Sequence, residues 1–292
     1  MSDVSTDTFD RALIQDVANQ TQLPLTLMHE VSNRRGAKLL KVIANNKTFG
    51  LKFTTSANDA IAHEASILKA LPKFTDSMHV AEGNYQSRAW LLMRWLSATP
   101  VYQHVQALKR DLDDPKPSLL TLFMAMFTKV ADLHALGYVH GDLQPDHFLI
   151  AEDGRIRLLD FGLTHKPSSG FNYQGALVHF SPPEVCSQQL EHKEAPEYKE
   201  ALAYEAISEV YSLASVVFFL YTGHIYPDYG GDGLSLEQKR ERIAAGYTHN
   251  FVSLGCDRFE ALEQIITKCL AIDPYKRYSS VTDALNALQT RL

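Results

Sequence analysis

Residues 138–162 read Tyr-Val-His-Gly-Asp-Leu-Gln-Pro-Asp-His-Phe-Leu-Ile-Ala-Glu-Asp-Gly-Arg-Ile-Arg-Leu-Leu-Asp-Phe-Gly. Two acidic residues dominate the stretch. Asp142 follows a short apolar run in a turn-rich segment, and Asp160 ends a second apolar run just before Phe161-Gly162. Between them, 148–151 and 155–159 have the composition of two short strands, with Asp153-Gly154 at their turn. Asp-Gly is a strong hairpin signal, because a two-residue type I′ turn needs φ > 0 at both positions. The hairpin turns the chain back, so Asp142 and Asp160 are expected to face one space. Two carboxylates aimed at one place suit metal binding plus a base, or an acid/base pair. The plain alternative is two solvated turn aspartates.

Working outward, the 292 residues suffice for one large domain or two lobes with a sizeable core. Hydrophobic content of 45% and charge of 21% are those of a globular protein. A net charge of -6 argues against a nucleic-acid binder, which shows a basic footprint. Cys186, Cys256 and Cys269 are too few and scattered for a disulfide framework or a zinc site, and they read as reduced cysteines of a cytoplasmic protein. The acidic N-terminus lacks the apolar core of a signal peptide. The run 210–226 carries Ser, Thr, His and Tyr, which marks a buried helix rather than a membrane span.

Residues 1–20 read as a polar start and a short helix. Strands at 23–31, 38–43 and 48–54, joined by tight turns, form a meander. A helix follows at 58–71, with Ile61, Ala65, Leu68 and Leu71 on one face. Strands at 79–85 and 88–95 come next, and Pro100 marks a boundary near Leu96. The stripe of Leu122, Met126, Val130 and Leu133 makes 118–136 a helix. Further helices are expected at 209–222 and at 236–245, with Ser235 as N-cap.

The stretch from His140 to His147 resembles the protein-kinase catalytic loop, H-R-D-L-x-x-x-N, and Asp160-Phe161-Gly162 matches the kinase metal-binding motif. Phe49-Gly50-Leu51-Lys52 stands where kinases carry V-A-I-K, and Glu64 lies in a helix similar to the one that supplies a glutamate to that lysine. Ser181-Pro182-Pro183-Glu184 resembles A-P-E. Glu209 takes the place of the aspartate that normally braces the catalytic loop, and Asp273-Pro274-Tyr275-Lys276-Arg277 resembles the D-P-x-x-R ending, whose arginine pairs with the A-P-E glutamate. The resemblance runs from about residue 23 to the end. H-G-D is common in small-molecule phosphotransferases, but those lack the S-P-P-E segment and this ending.

A eukaryotic-type protein kinase is therefore implied: an α+β, two-lobed fold with an extension at 1–20, a small ATP-binding lobe at 21–96 and a large helical lobe at 97–292. The implied activity is transfer of the γ-phosphate of ATP to a Ser or Thr hydroxyl of a protein or peptide. The alternatives are a small-molecule kinase and a pseudokinase scaffold. By resemblance, Asp142 handles the proton of the attacking hydroxyl, Asp160 holds Mg2+ (or Mn2+), and Lys52, set by Glu64, holds the α- and β-phosphates. Met93 backs the adenine pocket, with Arg94 and Leu96 in the hinge.

Four departures stand out. The Gly-rich loop is reduced to Gly36, with Arg34 and Arg35 beside it as substitute phosphate ligands or as solvated charge. Gly141 replaces an arginine that in many kinases binds a phosphorylated activation loop, so phosphates on Ser168, Ser169 or Tyr173 are expected to be dispensable. Gln144 stands where a lysine approaches the γ-phosphate. His147 replaces the asparagine that ligates a second metal, and it either ligates or turns away to bond the loop. The stretch 185–207 reads as a family-specific insertion.

Overall fold

The computed structural model describes residues 8–34, 36–54, 60–167, 169–171, 173, 175–194 and 202–290. The chain divides into two compact units, 1–97 and 98–292. No helix among the described residues is long and apolar enough to cross a membrane.

In the first unit, helix α1 (Thr8–Thr21) precedes a five-stranded antiparallel sheet of β1 (Thr26–Arg34), β2 (Ala37–Ala44), β3 (Lys47–Thr54), β4 (His79–Tyr85) and β5 (Arg88–Arg94), in the order β1-β2-β3-β5-β4. Helix α2 (Ala60–Ala70) connects β3 to β4, and positions 55–59, including the expected start of this helix at 58, lie outside the described residues. Alternation along the strands separates two faces. Leu40 and Val42 of β2, Phe49, Leu51 and Phe53 of β3, and Trp90 and Leu92 of β5 form one face, and Leu13, Ile14 and Val17 of α1 cover it. Lys38 lies on that same face, where its ammonium meets the buried carboxylate of Asp10 at 2.6 Å and Glu30 at 2.9 Å. Burial opposes its charge, but the bonds and charges of the two carboxylates outweigh that cost and raise its pKa. Helix α1 thus completes the core of this unit.

In the second unit, β6 (Ala98–Pro100), β7 (Phe148–Ala151) and β8 (Ile156–Leu158) form a small antiparallel sheet in chain order. The helices are α3 (Val101–Asp111), α4 (Lys116–Ala135), α5 (Pro183–Glu194), α6 (Ala206–Thr222), α7 (Leu236–Ala244), α8 (Glu260–Cys269) and α9 (Val281–Gln289). Helix α6 is buried on nearly every side, as its apolar composition requires. Ser235 caps α7 in a full capping box with Gln238.

One expectation needs correction. The β7–β8 turn is not type I′, since of Asp153 and Gly154 only Gly154 has a positive φ (76°). Gly154 N donates to Ala151 O and Ala151 N to Arg155 O, which makes a type I turn closed by a glycine bulge. The Asp153 carboxylate accepts from Arg155 N at 3.0 Å and from the Arg157 guanidinium at 2.9 Å, and so stabilises the longer turn. The stretch 185–207 opens in α5, and its described end brings Tyr204 into a buried cluster with Val139, Tyr173 and Val185, while 195–201 lie outside the described residues.

The core role of α1 predicts a contrast between its faces. Leu13→Ala is expected to lower unfolding free energy by about 3 kcal/mol, by lost transfer and a residual cavity. Arg11→Ala, on the exposed face, should change it by no more than about 0.5 kcal/mol. Urea titration of the unfolding transition that reports on the first unit measures both.

Candidate active site

The residues that the sequence singles out fall in both units. In the first, β3 points Gly50 and Lys52 away from the α1 face. Glu64 sits on the buried side of α2, and its Oε2 lies 2.6 Å from the Lys52 ammonium. Met93 pairs across the ladder with Gly50. A Cβ added at Gly50 would lie 3.3 Å from Leu39, 3.4 Å from Met93 and 3.7 Å from Trp95, so apolar side chains already close over this position on the Lys52 face and leave no room there for a larger residue. Arg94 and Trp95 spend their amides inside the unit, on Met78 O and Thr48 O. Among the described residues the Leu96 amide has no hydrogen-bond partner. Arg34 is exposed at the end of β1 and Gly36 forms the turn, whereas Arg35 lies outside the described residues.

In the second unit, the catalytic stretch rests on Glu209 in the first turn of α6. Its Oε1 accepts from Gly141 N at 2.8 Å, and its Oε2 accepts from His140 N at 3.0 Å and lies 2.7 Å from His134 Nε2. The carboxylate is fully buried. Burial pushes it up, but the bond and charge of His134 and the His140 amide together hold it below the usual glutamate range. The N-terminus of α6 adds a favourable field.

His140 is buried and spans the site. Its Nε2 donates to Leu159 O at 3.0 Å, and its Nδ1 accepts from Asp142 N at 3.3 Å. Burial lowers its pKa, in keeping with the neutral ring that this bonding pattern needs. Phe161 is buried against it, with ring centres 5.4 Å apart. Asp160, next to Phe161, has φ 61° and ψ 73°, a left-handed conformation that aspartate tolerates better than most residues.

Asp142, His147 and Asp160 come together, each offering a ligand atom within 4.8 Å of the others. His147 Nδ1 lies 2.8 Å from the carbonyl of Asp142, which can only accept, so Nδ1 carries the proton. Nε2 then presents its lone pair, taking a bond from the Gln144 amide at 3.0 Å and facing Asp160 Oδ2 at 3.6 Å. The Gln144 amide also donates to Asp142 Oδ2 at 3.0 Å. A lone pair turned toward a carboxylate oxygen is an arrangement that a cation relieves, and two oxygen donors with one imidazole nitrogen fit a divalent metal. His147 thus bonds the loop through Nδ1, while its Nε2, bonded by Gln144, lies on the side of Asp160.

The closing pair is also in place. Arg277, its side chain fully buried, binds both oxygens of Glu184 at 2.8 and 2.7 Å. Its remaining donors go to the carbonyls of Ala271, Ile207 and Ile272. Sequence reasoning missed His134, whose spacing to Glu209 carries no signal, and Tyr173, which it treated only as a phosphate acceptor.

A family model for the protein kinase domain matches residues 37–290. The chain belongs to the protein kinase family. Sperm motility kinase 1 of Mus musculus is 30% identical over 164 residues, which is 55% of this chain and 30% of that protein. Serine/threonine-protein kinase RAD53 of Saccharomyces cerevisiae is 27% identical over 166 residues, 55% of this chain and 20% of that protein. The kinase chain spans about a third or less of the length of these curated relatives. The solved structure of the Cydia pomonella granulovirus kinase PK-1 aligns with a TM-score of 0.66 at 13% identity, over 95% of this chain and 98% of that one, which shows the eukaryotic-type kinase fold.

Glu209 yields a prediction whose sign follows from its depressed pKa. Such a group stabilises the fold above the usual glutamate range, and the contribution is lost as pH falls through its folded-state pKa. Glu209→Gln should cost about 3 kcal/mol near neutral pH, because one amide N–H loses its acceptor and the charge facing His134 disappears. Denaturation of both proteins from pH 7 down to pH 3 should show the gap closing as the wild-type carboxyl takes up its proton.

Proposed function

We propose that this kinase transfers the γ-phosphoryl group of ATP to a serine or threonine hydroxyl of a protein or peptide. The observation that carries the reading is the convergence of Asp142, Gln144, His147 and Asp160 on a backbone held by a buried carboxylate, in a chain of this family. The Glu64-oriented ammonium of Lys52 is the group for the α- and β-phosphates. Met93, paired with Gly50 across the ladder, backs the adenine, with Arg94 and the Leu96 amide in the hinge role. Asp142 is the acceptor of the proton released as the substrate hydroxyl bonds to phosphorus and the bond to the ADP oxygen breaks. Its carboxylate is held by the Gln144 amide, so its orientation is set before substrate arrives. Three free cysteines, two of them buried thiols pushed up to about 12, suit a cytoplasmic setting.

Asp160 and His147 would hold the divalent cation, Mg2+ or Mn2+, and when bound it would neutralise phosphate charge. Gln144 brings amide donors where a cationic side chain would add charge, so more of the neutralisation falls to the metal and to Lys52.

Incubation of purified protein with γ-labelled ATP and protein or peptide acceptors tests the activity. Lys52→Ala should lower transfer by about a hundredfold or more, and Asp160→Asn should abolish metal-dependent turnover. Wild-type transfer by Asp142→Asn would leave the assigned base without a role.

The imidazole ligand gives a separate prediction. Magnesium prefers oxygen donors, whereas manganese accepts nitrogen more readily. Manganese binding followed by electron paramagnetic resonance, with magnesium as competitor, should show a clear manganese preference in the wild type. His147→Asn should shift that preference toward magnesium, and an unchanged ratio would remove His147 from the ligand set.

A further inference from the structure

Three successive carbonyls of the catalytic loop accept bonds from the segment that follows Phe161-Gly162. Val139 O accepts from His165 N at 3.1 Å, and His165 O returns the bond to Val139 N at 2.9 Å. His140 O accepts from the Thr164 hydroxyl at 3.1 Å. Gly141 O accepts from the Tyr173 hydroxyl at 2.8 Å. Tyr173 is only 1% exposed, and its ring lies 4.7 Å from that of Tyr204. Burial, before the nearby charges of Asp142 and Glu209, pushes its hydroxyl well above the ordinary tyrosine range, so it stays a donor. The geometry on the other side excludes a side chain at position 141. Gly141 has φ +81°, and a Cβ there would lie 2.5 Å from Leu163 O. The loop backbone and the segment are therefore in direct contact, with no room for a charged group between them at this point.

We propose that Tyr173 is a positioning residue: its buried hydroxyl, bonded to the carbonyl beside Asp142, holds the segment after Phe161-Gly162 on the catalytic loop without any phosphate. The inference rests on the kinase reading for its effect on turnover, but its structural content is independent of it. The anchor is neutral, built from one hydroxyl, one carbonyl and aromatic packing. A hydroxyl this buried accepts no phosphate while seated, and a phosphate added to it in an open state would keep the ring from re-entering its pocket. The segment is thus ordered by default, and modification of Tyr173 would switch it off.

Tyr173→Phe tests this, because it keeps the ring and removes only the donor. Hydrogen exchange is measured on phosphatase-treated protein at the paired amides of Val139 and His165. The variant should exchange about fivefold faster than wild type, the size expected for one net hydrogen bond. In the labelled-ATP assay its kcat should fall by a similar factor with KM for ATP unchanged, while Ser168→Ala/Ser169→Ala matches wild type. Equal exchange in Tyr173→Phe and wild type would overturn the proposal, as would loss of wild-type protection on phosphatase treatment. If wild type transfers no phosphate to any acceptor, the kinase reading fails, and the exchange comparison still decides the anchor.

Discussion

A buried backbone has to bond with something, and in this protein that requirement fixes the catalytic loop. The N–H groups of His140 and Gly141 point into the interior, away from any strand or helix partner, and the Glu209 carboxylate takes both. The carbonyls of residues 139–141 are taken by the segment that begins at Thr164, and the carbonyl of Asp142 by His147. Each such group left unpaired costs about 1–3 kcal/mol. A displaced loop would lose several at once, so its conformation is held cooperatively rather than by any one contact.

The side chains inherit that order. Asp142, Gln144 and His147 leave a backbone that cannot drift, so the carboxylate, the amide and the imidazole meet at hydrogen-bond distances without substrate. Asp160 reaches the same place by another device. Its left-handed backbone is unfavourable by about 1 kcal/mol for a residue with a side chain, and the burial of Phe161 against His140 offsets this. His140 links the two, since its ring bonds the amide of Asp142 and the carbonyl just before Asp160.

The sequence made this arrangement legible where chemistry and spacing coincide. Asp142, Asp160, Lys52, Glu64 and the Glu184–Arg277 pair could be placed because each lies in a short motif whose residues act together. The antiparallel meander and the buried α6 were legible from alternation and from continuous apolar composition. What stayed hidden depended on partners distant in the chain. Lys38 looks like an exposed strand lysine until Asp10 is seen against it. His134 and Glu209 sit on different helices, so no local pattern joins them. The β7–β8 turn was misread because the Asp153 carboxylate, through Arg155 and Arg157, favours a turn that the Asp-Gly pair alone does not specify. Tyr173 lies in a polar loop, where a tyrosine reads as a modification site and its burial against Tyr204 cannot be inferred.

Charge and neutrality divide the work of holding the molecule. Asp10 with Lys38, Lys52 with Glu64, Glu184 with Arg277 and Glu209 with His134 each join different elements, and each is at least partly buried. Pairs of this kind add little net stability over an apolar replacement, but they penalise every wrong register heavily, because a displaced element strands a charge. They suit the scaffold, where one arrangement must be chosen and kept. The segment after Phe161-Gly162 is held differently, by a backbone bridge, two hydroxyl donors and aromatic packing. Losing such contacts strands no charge, so this segment opens at lower cost than the helices beneath it, and the same neutrality lets it close again without a counter-ion.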